Sequence, residues 1–141
     1  MCFSANMSII SFVVGLIGSI LVCTLDGPSN KILGLFLGFV SFMQFLEYLL
    51  WKHQECNNQN KFLSKIALWF NHMQPIVFGL LIILFNSSLV ITFYVVLIIF
   101  IYTCGMIPYS IQYFRNNITN IQCTIKNLTT QHLSWKYIRK S

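Results

Sequence analysis

Four long apolar runs alternate with short polar ones along this chain. The runs cover about residues 8–24, 32–51, 66–85 and 89–106. A helix crossing a bilayer core of about 30 Å needs roughly 20 residues, with about 17 as a lower limit. All four runs fit. They are continuous rather than alternating at every second residue, which disfavours strands. In lipid the backbone must satisfy its own hydrogen bonds, and that leaves the helix as the form. The pattern predicts an all-α fold: an integral membrane four-helix bundle over residues 1–108.

The connections have their own chemistry. Asp26-Gly27-Pro28-Ser29-Asn30 is turn sequence, and Ser29 or Asn30 can cap the second helix. Residues 52–64 are polar, with Asn57, Asn58 and Asn60, and read as a wet loop. Asn86-Ser87-Ser88 reads as a tight hairpin, and Pro108 as the end of the fourth helix. The first run lacks a basic segment before it, and Val22 is bulky for the position before a lipoprotein-type Cys23, so it reads as a retained helix.

Residues 109–141 carry a different pattern. Ile111, Phe114, Ile118, Ile121, Ile125, Leu128, His132 and Trp135 recur at alternating spacings of three and four, one apolar stripe on a helix. Every charge in this tail is basic, so the stripe predicts an amphipathic helix lying on anionic lipid headgroups. Frequent Asn and Thr lower its helix propensity. An additional packing element and a disordered tail are the other two readings.

Composition supports the membrane class. Charged residues make up 9% of the chain, where a soluble domain carries roughly 25%. The net charge of +6 is uneven, because eight of the nine Lys and Arg residues lie in residues 52–65 and 115–140. With four spans these regions share one side with both chain ends. The positive-inside rule then predicts cytoplasmic termini, in a virion or host membrane if the source is viral. Basic charge placed like this fits a lipid surface; no base-reading motif accompanies it, so no nucleic-acid partner is expected. Five cysteines without a CxxC pair predict neither a disulfide framework nor a zinc pattern.

The candidate chemistry sits on the second and third runs. Gln44 and Glu47 on one, and Asn71, His72 and Gln74 on the other, are strongly polar side chains in otherwise apolar sequence. Gly34 and Gly38 form a GxxxG pair about half a turn away from Glu47, matching a small-residue stripe of Ser8, Ser11, Gly15 and Ser19 on the first run. Counted from the run ends, Glu47 lies about 6 Å inside and His72 about 9 Å inside, so antiparallel neighbours would pair them. A lone carboxylate in hydrocarbon costs at least about 2.5 kcal/mol and needs a partner or a proton. Pro75 removes an amide donor and frees the carbonyl of Asn71. Two readings follow. In one, Glu47 binds a proton or small cation with His72, Gln44, Asn71 and Gln74 around it. In the other, the Glu–His pair is structural glue in a non-enzymatic membrane protein. A metal site would need a third ligand such as Cys2. No cofactor is indicated, and no nucleophile–base pair or phosphate loop supports an enzyme. Four helices rarely enclose a pathway alone, so ion handling would call for a homo-oligomer.

Met1-Cys2-Phe3-Ser4-Ala5, residues 44–51 (QFLEYLLW) and His72-Met73-Gln74-Pro75 together resemble an uncharacterised family of multi-pass membrane proteins of bacteria and large DNA viruses. The likeness covers roughly residues 1–80. It implies a membrane-helical fold and that Cys2 belongs with Glu47 and His72. It implies no activity. Members tend to be longer, with further membrane helices.

Overall fold

A computed structural model describes residues 4–86, 88–115, 123–127 and 132–134. It contains four helices: α1 (Ala5–Thr24), α2 (Pro28–Lys52), α3 (Asn58–Phe85) and α4 (Leu89–Arg115). Each is long and apolar enough to cross a membrane. Two short strands, β1 (Ile125–Lys126) and β2 (Leu133–Ser134), pair antiparallel after α4. The fold is all-α, as the hydropathy pattern predicts.

Its tightest seam joins α1 to α2. A Cβ placed on Gly34 would lie 2.9 Å from the backbone nitrogen of Cys23 and 3.0 Å from the Ser19 carbonyl. On Gly38 it would meet the Ser19 hydroxyl at 2.7 Å. The glycines therefore let the two backbones approach, as small-residue stripes do in lipid. Ser19 uses the space to donate a buried 2.7 Å hydrogen bond to the Gly34 carbonyl. The expected contact between the first two helices is present.

Aromatic rings set the α2–α3 register. Phe39 stacks on Phe70 at 5.0 Å, and Phe36 meets Phe78 at 4.8 Å. Towards the other end, Leu46 and Leu50 pack with Ala67, flanked by Leu63 and Ile66. Helix α4 is attached more lightly, with Val95 and Ile99 over Gly79. None of the residues in its apolar stretch, Leu89–Pro108, is buried. An apolar helix this exposed is stable only with hydrocarbon around it.

Three expectations need correction at the ends of elements. Gly27, with φ of +106°, precedes α2, and Pro28 opens it; neither Ser29 nor Asn30 caps it. Asn30 instead donates to the Asp26 carbonyl at 2.7 Å. Pro108 does not end α4, which continues to Arg115. Residues 58–64 are helix rather than loop: Asn57 caps α3 by accepting from the Asn60 amide at 2.9 Å. At 28 residues α3 is about 42 Å long, so its polar first turns rise beyond a 30 Å hydrocarbon core.

The tail also departs from its pattern. Residues 125–126 and 133–134 are paired strands, so one continuous amphipathic helix does not carry the stripe. The hairpin lies over the α2–α3 end, where Leu133 joins Leu46, Leu50 and Ala67 in the core. Ile125, a stripe residue, lies in β1, and Leu133, outside the stripe, is the tail residue that enters the core. A disulfide joins Cys56 to Cys123, 67 residues apart in sequence. The cysteine count and spacing gave no sign of it, because the pairing depends on two distant segments meeting at one end of the bundle.

Candidate functional site

The most closely bonded polar cluster sits where the tail meets α3. Asn60 and Ser64 are one helical turn apart and lie on the same face of α3 as Ala67 and Leu68. Asn60 is fully buried, and Ser64 and Thr124 are nearly so. The Asn60 side chain donates to the Thr124 carbonyl at 2.8 Å and to the His53 carbonyl at 2.5 Å. Its oxygen accepts from the Thr124 amide at 3.0 Å. Ser64 donates to the Thr124 hydroxyl at 2.9 Å and accepts from the Thr124 amide at 3.1 Å. Gln54 extends the set, accepting from the Lys126 amide at 2.6 Å and donating to the Leu50 carbonyl at 2.5 Å. Buried polar groups are tolerated when they are paired like this.

Sequence reasoning missed these residues. The signal was present for α3: Asn60, Ser64, Ala67 and Leu68 follow the spacing of one buried helical face. For Thr124 no local pattern existed.

Glu47 is buried at 4% exposure on α2. The ring contacts Phe39–Phe70 and Phe36–Phe78 run α2 antiparallel to α3, so Glu47 and His72 lie on facing helices. Gln44 and Gln74 are half-buried, and Asn71 is exposed on α3.

His72 meets α4 through Tyr102. The Tyr102 hydroxyl donates to the His72 carbonyl at 3.2 Å and lies 3.4 Å from its Nδ1. The pair lines a cleft of about 480 Å³ between α3 and α4, with Trp69, Met73 and Met106 among its apolar walls. Glu47 is not part of that lining. Trp51 packs beside the Leu46–Leu50 core, and its indole nitrogen is buried without a hydrogen-bond partner among the described residues.

No three His, Cys, Asp or Glu side chains among the described residues are placed to hold a metal. Cys2, the expected third ligand, lies outside those residues. The chemistry on the page is thus hydrogen bonding and covalent cross-linking at one end, and an apolar cleft with one polar pair further in.

Four apolar spanning helices under a cross-linked polar end define the architecture of a membrane-embedded protein. No family model, curated protein or solved structure matches the chain.

Proposed function

We propose that this is a multi-pass integral membrane protein with a structural or assembly role, in which the polar end acts as a lock between helices and tail. One observation carries the reading. Asn60, Ser64 and Thr124 satisfy one another's donors and acceptors, so the cluster is committed to holding the protein together. A site built for a ligand keeps polar groups aimed at it. The resemblance of residues 1–80 to the uncharacterised membrane family is compatible with this role, as are a bilayer environment, anionic headgroups near the basic tail and self-association.

A second reading rests on Glu47. A carboxylate buried on a membrane helix is a proton- or cation-binding group by default. Glu47→Gln in proteoliposomes separates the two. Under the structural role, wild-type vesicles pass protons and monovalent cations no faster than empty ones, and the variant shows reduced thermal stability. Under the ion-handling role, wild-type vesicles show a flux that Glu47→Gln abolishes while the melting midpoint stays put. A flux of that kind would overturn the structural reading.

A further inference from the structure

The charge bias and the covalent structure point in opposite directions across the membrane. Of the six basic residues among the described ones, five (Lys52, Lys61, Lys65, Arg115 and Lys126) lie on the side that holds the 53–57 connection. By the positive-inside rule that side faces the cytoplasm. The same side holds the Cys56–Cys123 disulfide. Disulfides persist in oxidising compartments and are rare where glutathione and thioredoxin keep thiols reduced.

We propose that the disulfide decides, and that the capped end of the bundle, with both chain ends, faces an oxidising, non-cytoplasmic compartment.

Two observations support this choice. First, the bond joins segments that the fold brings together independently. Thr124, next to Cys123, is held by Asn60 and Ser64, and Gln54 and Asn60 flank Cys56 in sequence and bond to the tail or the connection. The thiols are thereby pre-positioned, so cross-linking requires no rearrangement. Second, Cys56 is at an exposed position, whereas Cys123 is buried. An exposed partner is open to attack by a small thiolate, so burial does not shield the bond from a reducing cytosol.

The chemistry balances simply. The thiols of Cys56 and Cys123 lose two protons and two electrons as the S–S bond forms, and a disulfide-bearing oxidant of that compartment takes both and leaves as a dithiol.

The test uses the full chain inserted into endoplasmic reticulum microsomes, with an N-glycosylation acceptor tag after Ser141. A twin whose tag asparagine is replaced by glutamine cancels any glycan on native acceptor sites. Thiols are blocked with N-ethylmaleimide, the protein is reduced, and newly freed thiols are labelled with a polyethylene glycol maleimide. The expected result is a glycan on the tag together with labelling that disappears in both Cys56→Ser and Cys123→Ser. An unglycosylated tag overturns the orientation. So does a wild-type chain whose Cys56 and Cys123 are both blocked before reduction. Neither result depends on whether the protein carries ions.

Discussion

Asn60 grips the backbone of Thr124 from both sides: its amide nitrogen donates to the Thr124 carbonyl at 2.8 Å, and its oxygen accepts from the Thr124 amide at 3.0 Å. A side chain on α3 thus takes the place of a neighbouring strand for a residue 64 positions later. The hairpin beyond it inherits its position from this contact.

Replacing Asn60 by Ala should be among the most damaging single changes at this end. It leaves the Thr124 amide and carbonyl and the His53 carbonyl without this partner, at about 1–3 kcal/mol for each buried group left unsatisfied. A lowered melting midpoint in detergent, with faster proteolytic release of the tail, is the expected outcome. Ser64→Ala should cost less, about 1 kcal/mol, because the Thr124 amide keeps Asn60. Equal effects from the two variants would show that the cluster is not organised around Asn60.

Breaking the cross-link should loosen the same region by another route. Cys123→Ser removes a bond that closes a long loop, with a typical effect of about 2–4 kcal/mol. The measurement is thermal unfolding of the wild type with and without dithiothreitol, beside the variant. Reductant should lower the wild-type midpoint and leave the variant unmoved.

The α1–α2 seam makes a steric prediction with an internal control. Gly34→Ala sets a methyl group against the Cys23 nitrogen and the Ser19 carbonyl, and backbone atoms cannot step aside. Overpacking of this kind costs about 1–3 kcal/mol. Gly105→Ala meets nothing within 4 Å and should be neutral or slightly stabilising, since Ala is the better helix former. Size-exclusion profiles and melting midpoints of the two variants would show the contrast; matching behaviour would deny the close approach.

Tyr102→Phe tests the deeper polar pair. It deletes the hydroxyl that reaches the His72 carbonyl and ring, for a loss of about 0.5–1.5 kcal/mol. If the pair also helps attach α4, the variant should let α4 separate more readily, seen as faster hydrogen exchange at residues near 102. An unchanged exchange pattern would limit the pair to a local contact.

The helices were readable from sequence because long apolar runs admit one backbone form in lipid. Ser19 facing Gly34 and Gly38 was readable for a related reason: small residues at helical spacing have little other use in such runs. Asn57, Asn58 and Asn60 misled because asparagine favours turns, yet here Asn57 caps a helix and Asn60 is buried inside one. Thr124 and Cys123 were unreadable, since their partners are set by three-dimensional proximity rather than by local spacing. The tail stripe shows the reverse failure: spacings of three and four also occur in a chain where the stripe residue Ile125 sits on one of two paired strands.

The covalent ring from Cys56 to Cys123 encloses the whole α3–α4 pair. During synthesis its second sulfur emerges only after α4 has been made. The seal must therefore follow threading of this helix pair, and a copy whose α4 failed to insert would carry two unjoined thiols on opposite sides of the bilayer. The molecule thereby carries a chemical record of whether α3 and α4 were both inserted.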